Sequence, residues 1–267
     1  VNRQAQAVVL FLVGGAMTHA GSTDLYLRYV KAGLQPMVVG AGVVLMTAAL
    51  ATAWYEWKHS KSASGKEVHA EGHGTGTGAG HGIGTGTGTD VHDQEVHVHR
   101  EPRVSWLLVL PLFALILVAP PALGSYSALR TGTALQAPLA YPPLPSGDPV
   151  RLSLVDYAGR AAYDHGRSLG GRRIAITGFV ALDGKGTPYL VRMALNCCAA
   201  DAQPVKVGLT GRIPPVLQPD TWLELTGTYT GRRTKDPVNK GIIPFFDITE
   251  AKPVPVPRDP YDESWNN

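Results

Sequence analysis

From Leu34 to Tyr55 the chain runs for 22 residues without one Asp, Glu, Lys, Arg or His. As a helix rising 1.5 Å per residue, such a segment covers the roughly 30 Å hydrocarbon core of a bilayer. Buried helices of water-soluble domains rarely reach that length without a polar face, so the run predicts a transmembrane helix over about 34–57. Its end carries Trp54, Tyr55 and Trp57, then Lys58 and Lys61, the order expected where hydrocarbon gives way to headgroups.

Two further runs extend the pattern. Residues 104–123 are almost all Leu, Val, Ala, Ile and Phe; Pro111 predicts a kink and Pro120-Pro121 the end of a third helix. The first run, beginning at Ala5, is shorter. Arg3 ahead of it and Thr18-His19-Ala20 behind it resemble a signal peptide, but Leu25, Tyr26 and Leu27 extend it to a helix over about 5–27, read here as an uncleaved anchor. Lys58, Lys61, Lys66, Arg100 and Arg103 lie between the second and third runs, against only Arg28 and Lys31 between the first and second. The excess of positive charge predicts a cytoplasmic 58–103 loop, and therefore an extracytoplasmic C-terminal half.

That loop is low in complexity. From Gly72 to Gly88 every second residue is glycine, mostly alternating with Thr, which predicts disorder over about 60–100. Seven of the nine histidines are His59, His69, His73, His81, His92, His97 and His99. Neutral imidazoles on a flexible chain can gather a transition metal, so His73, His81, His92, His97 and His99 are candidate ligands, although their spacing matches no closed structural zinc site. A linker with histidines introduced by repeat slippage would look the same.

After the third run, five prolines within 137–149 predict an extended tether over 124–150. A domain over 151–252 follows, with a tail over 253–267. A short helix is expected over 153–162. Five strands are expected over 173–182, 189–195, 205–209, 222–229 and 243–251, separated by turn residues such as Asp183-Gly184 and Pro214-Pro215. Gly178 and Gly227 fall inside two of these strands, where a small barrel must bend sharply. The predicted fold is therefore a membrane-anchored α plus β chain: two to three N-terminal transmembrane helices, then a small OB-like β-barrel, with an open sandwich as the alternative. Such barrels commonly bind oligonucleotides or oligosaccharides through exposed aromatics. Tyr189, Trp222, Tyr229, Phe245 and Phe246 could serve, but are expected in the core.

The only two cysteines are adjacent, Cys197 and Cys198, followed closely by Asp201. Three readings compete for them. Two thiolates and a carboxylate are part of a metal site, completed by His165 or a partner chain. Alternatively the pair cycles between dithiol and a strained vicinal disulfide as a thiol-exchange enzyme, since neighbouring Cα atoms are closer than disulfides prefer. The third is two small buried residues ending a strand. The charge balance, 24 Lys and Arg against 21 Asp and Glu, gives no footprint for nucleic acid. No nucleophile elbow or phosphate loop is present, so no hydrolase or nucleotidase is expected.

The stretches Gly171-Arg172-Arg173-Ile174-Ala175-Ile176-Thr177-Gly178-Phe179-Val180, Tyr189-Leu190-Val191-Arg192-Met193, Cys197-Cys198-Ala199-Ala200-Asp201-Ala202-Gln203-Pro204-Val205 and Trp222-Leu223-Glu224-Leu225-Thr226-Gly227 resemble the YcgQ-like family of permease subunits, as does the Leu25-Tyr26-Leu27-Arg28-Tyr29-Val30 junction. The Gly/Thr/His insert lies outside that pattern. The resemblance implies a membrane-anchored accessory subunit of an integral membrane permease and transfers no catalytic residue; the chain as a whole is read as a non-enzymatic protein of a bacterial-type plasma membrane. Together with the histidines and cysteines it leads to an expected role in transition-metal transport or homeostasis, with zinc the expected ion. The thiol-disulfide enzyme and the ligand-binding barrel are the alternatives.

Overall fold

The computed structural model describes residues 3–63 and 122–263. The predicted third helix over 104–123, except its last two residues, lies outside them, as do His69, His73, His81, His92, His97 and His99.

Two long helices come first: α1, Arg3–Ser22, and α2, Gln35–Ala63. Both are long and apolar enough to cross a membrane. They run antiparallel. The Arg3 guanidinium meets the Glu56 carboxylate at 3.2 Å. A Cβ on Gly14 would come within 2.7 Å of the Gly42 carbonyl, and one on Gly21 within 2.6 Å of Val39. Gly14 and Gly15 lie inside α1. Gly14 lets two backbones approach where any side chain would hold them apart, the use small residues serve between helices in lipid. The connection over 23–34 is not helical extension but two 3-10 turns, Asp24–Arg28 and Ala32–Leu34, with Tyr26 and Leu27 buried. Thr23 caps the first turn by accepting a hydrogen bond from the Leu25 N–H at 3.4 Å.

The C-terminal half is a closed five-stranded β-barrel. Its strands are β2 (Ile174–Leu182), β3 (Pro188–Leu195), β4 (Gln203–Gly211), β5 (Trp222–Lys235) and β6 (Ile242–Pro253). They pair in the closed order β2-β3-β4-β6-β5-β2, every pair antiparallel except β4 with β6. This is the connectivity of the OB barrel. Both intrastrand glycines sit at close approaches. A Cβ on Gly178 would meet the Val191 carbonyl at 2.7 Å, and one on Gly227 would overlap the Asp247 carbonyl beside a register shift in β5.

Two short strands add to the barrel, β1 (Val150–Arg151) parallel to β2 and β7 (Tyr261–Glu263) parallel to β3. Helix α4 (Leu154–Tyr163) is capped by Ser153, whose Oγ accepts from the Asp156 N–H at 3.0 Å. It buries Leu154, Val155, Tyr157, Ala158 and Ala161 against the barrel interior. The Tyr157 ring stands edge-on to Phe246 at 5.0 Å, and its hydroxyl donates to the Phe245 carbonyl at 2.6 Å.

The outer face of β2 and β3 is covered as well. Phe179, Val191, Met193 and Trp222 form a second cluster with Ala128 of α3 (Ser125–Arg130) and Tyr261 of β7. Burial on both faces explains why these strands read as continuous apolar runs rather than alternating ones. Residues 124–150, expected as a tether, are strapped to the barrel. Ser125 donates through N–H and Oγ to Asp220 at 2.6 and 2.9 Å. The Tyr163 hydroxyl donates to the Leu135 carbonyl at 2.9 Å, and buried Arg160 donates to the Pro142 carbonyl at 2.8 Å. The expected tail likewise contributes β7, whose Asp262 pairs with Arg192 at 3.0 Å.

Candidate functional site

The turn between β3 and β4 holds the two cysteines. Leaving β3 at Leu195, the chain makes a single 3-10 turn, Ala199–Asp201, before β4 begins. Asp201 organises this turn from within: its carboxylate accepts backbone hydrogen bonds from Asn196 at 3.0 Å, Cys197 at 2.8 Å and Cys198 at 3.4 Å. The ligand atoms of Cys197, Cys198 and Asp201 all lie within 4.8 Å of one another. Cys197 is exposed and Cys198 half-buried, both as free thiols.

The electrostatics follow from that carboxylate. The Asp201 carboxylate, accepting a hydrogen bond from the Cys197 thiol, pushes that thiol up to about 12, with Cys198 adding to the shift. Burial works to raise Asp201 itself, but the Cys197 thiol and the three backbone N–H groups hold its carboxyl below the usual carboxylate range. An ionised carboxylate has about four lone-pair positions. Three of them accept the N–H groups, which leaves the fourth facing the proton on Cys197. A field that disfavours a thiolate favours a cation beside it. The shift at Cys197 is opposite in sign to the depressed thiol pKa on which thiol-disulfide enzymes depend.

The turn is held against the connection between α1 and α2. The Ala199 N–H donates to the Tyr29 carbonyl at 2.7 Å, the Lys31 N–H donates to the Cys197 carbonyl at 3.2 Å, and Val30 bridges to Cys198 in antiparallel register. Nearby, the Tyr261 hydroxyl donates to the Arg28 carbonyl at 3.1 Å and accepts from the Leu123 N–H at 3.2 Å. Arg258 pairs with Asp24. An open cavity of about 1090 Å³ beside these contacts is lined in part by Asp24, Asp220 and Arg258. Its carboxylates are already engaged, with Arg258 and with Ser125.

The structure therefore brings together Cys197, Cys198 and Asp201, three of the residues singled out from sequence. His165 is not in that group; it follows α4 with a φ of 52°. His73, His81, His92, His97 and His99 lie outside the described residues. Tyr189, Trp222, Phe245 and Phe246 are buried and Tyr229 is half-buried, so they build the core rather than a stacking platform. Tyr29, Val30 and Lys31 were not legible as part of the site, because they reach it through main-chain atoms that carry no residue-type signal.

No match was found among curated proteins or among solved structures. Residues 159–262, which include the barrel and the cysteine turn, match the model of the DUF1980 C-terminal domain family.

Proposed function

We propose that this chain is a membrane-anchored accessory subunit of an integral membrane permease, and that its barrel offers Cys197, Cys198 and Asp201 to a transition-metal ion. One observation carries the reading: two thiols and a carboxylate within 4.8 Å of one another, on a turn hydrogen-bonded to the connection between two helices apolar enough to span a bilayer. Sulfur ligands select soft or borderline ions such as zinc. Three protein ligands on an exposed turn suit a site that exchanges its ion better than one that locks it in.

The anchoring reading places the 23–34 connection and the barrel on one side of the bilayer and the end of α2 on the other. It assigns the return crossing to the apolar run 104–123. The positive charges between 58 and 103 put that far side in the cytoplasm, so the cysteine turn faces outward. The His-rich segment would then hold metal loosely inside, at His73, His81, His92, His97 and His99. The resemblance to YcgQ-like permease subunits supplies the permease partner.

The test uses the full chain purified in mild detergent under reducing conditions and titrated with Co²⁺, Cd²⁺ and Zn²⁺. The expected result is sulfur-to-metal charge-transfer absorption at one equivalent, lost in Cys197→Ser and Cys198→Ser and weakened in Asp201→Asn. Absorption unchanged in both serine variants would overturn the site. A tagged chain that brings down no polytopic membrane protein would overturn the permease partnership. Equal zinc uptake after deletion of 69–99 would remove the histidine limb.

A further inference from the structure

The hairpin joining β5 to β6 is an exposed, positively charged feature of the barrel. Over 230–241 it carries Arg232, Arg233, Lys235 and Lys240, all exposed, and one acid, Asp236. That acid is fully buried: its carboxylate accepts from the Lys206 ammonium at 2.8 Å, the Thr133 N–H at 3.0 Å and the Val238 N–H at 2.8 Å. The Arg232 guanidinium lies over the Phe245 ring at 4.4 Å and the Lys240 ammonium donates to the Pro237 carbonyl at 3.3 Å, but none of the four exposed cations is in an ion pair among the described residues, so no carboxylate neutralises their charge. At its tip, beside Pro237, sits an apolar side chain with nothing to cover it: Val238 is 52% exposed. The tip is rigid. The Asp236 N–H donates to the Gly241 carbonyl at 2.8 Å, the Lys240 N–H donates to the Asp236 carbonyl at 2.9 Å, and Asn239 donates to the Thr133 carbonyl at 2.9 Å.

Its distance from the connection between α1 and α2 is bounded by the chain. A Cβ on Gly132 would overlap Asn239 at the tip. Gly132 follows Gly124 by one six-residue helix and the three links that flank it, about 8 Å plus about 11 Å, so the tip lies within about 25 Å of Gly124. The residue before Gly124 shares the Tyr261 hydroxyl with Arg28 of the connection between α1 and α2. Cations flanking an exposed apolar tip, within reach of the interface, have the composition of a segment that binds headgroup phosphates and dips an apolar group beneath them.

We infer that the β5–β6 hairpin is a lipid-binding finger: Arg232, Arg233, Lys235 and Lys240 engage the phosphates of anionic phospholipids, and Val238 enters the interface between them. The inference rests on the anchoring reading above and adds a second, electrostatic attachment that fixes the barrel, and its cysteine turn, at the membrane surface.

The experiment places p-benzoylphenylalanine at position 238 of the full chain, reconstituted in nanodiscs of phosphatidylglycerol or phosphatidylcholine. After irradiation, lipid adducts are counted by mass spectrometry. At least fivefold more adduct is expected with phosphatidylglycerol, falling to the phosphatidylcholine level in 0.5 M NaCl and in Arg233→Gln/Lys235→Gln/Lys240→Asn, whose Asn tolerates the left-handed backbone at 240. Barrel unfolding of that variant, unchanged from the parent, shows that charge and not fold was removed. Equal adducts in both lipids, or crosslinks to protein in place of lipid in native membranes, would overturn the finger while leaving anchoring intact. Failure to enter discs at all would overturn the anchoring, and the finger with it.

Discussion

The helical hairpin and the barrel are built from the same apolar residue types, turned in opposite directions. On α2, Met37, Val44 and Trp54 are 71%, 65% and 66% exposed, whereas Val180, Leu190 and Phe246 of the barrel are at 0%. The barrel closes on itself and covers its outer β2–β3 face with α3 and β7, so its apolar surface is removed from water by the protein. The hairpin covers little of its own apolar surface, as a segment suited to an apolar solvent would. Apolar content alone therefore does not locate a core. What distinguishes the regions is whether the chain supplies its own cover.

The largest effect that can break this comparison is expected inside the barrel. Asp236→Asn leaves the Lys206 ammonium buried beside a neutral amide, and removing one partner of a buried pair costs about 3–5 kcal/mol. Chemical denaturation of the purified chain, followed by near-UV circular dichroism, measures it. A loss below 1 kcal/mol would mean that the strap at Thr133 and the β5–β6 hairpin are not held by this pair. Burial tends to raise the Asp236 carboxyl, but the Lys206 ammonium and the backbone N–H groups around it hold it below the usual range. Its folded value lies below its unfolded one, so its stabilisation is present above the ordinary carboxylate pKa of about 3.9 and is lost as pH falls below it. The parent barrel should therefore lose stability on acidification more steeply than the Asn variant.

A smaller effect sharpens the other side. Leu50 is 59% exposed on α2. If lipid covers it, Leu50→Arg disfavours insertion by about 2.5–3.5 kcal/mol, read as the membrane-integrated fraction in an insertion assay. In water the same change would be neutral, so an unaltered fraction would contradict the transmembrane reading. Smaller again is the effect at the cysteine turn. Asp201→Asn removes the carboxylate that suppresses Cys197 ionisation, and each unit of pKa is tenfold in thiolate at a pH below it. Iodoacetamide labelling at pH 8 should rise at least tenfold; no rise would show that another group controls the thiol. The smallest change is Tyr261→Phe, which removes a hydroxyl bridging Arg28 and Leu123. The expected loss is about 1 kcal/mol, accompanied by faster amide exchange over 24–31.

Much of the barrel could be read from the chain because strands announce themselves locally. β2 was expected over 173–182 and runs Ile174–Leu182, while β3 was expected over 189–195 and runs Pro188–Leu195. Ser153 marks the start of α4 by the capping chemistry that its residue type supplies. Other parts were hidden for physical reasons. The second half of β5, through Lys235, has exposed polar residues and pairs only because β6 lies beside it. The prolines over 137–149 do extend the chain, but whether an extended chain hangs free depends on partners far away, such as Arg160 and Tyr163. At the site, residue types identified Cys197, Cys198 and Asp201. The grip of Tyr29 and Lys31 on that turn is made entirely by peptide groups, which every residue possesses.

Residue type and local spacing sufficed to mark which segments are too apolar to face water, which segments form the strands, and which side chains are of a kind that ligates metals. The tertiary fold decided that the cysteine turn meets the connection between the long helices, and that Asp236 is withdrawn from the surface to leave four cations exposed. Those outcomes depend on groups brought together across tens to hundreds of residues, where closure of the chain, and not local preference, sets the neighbours.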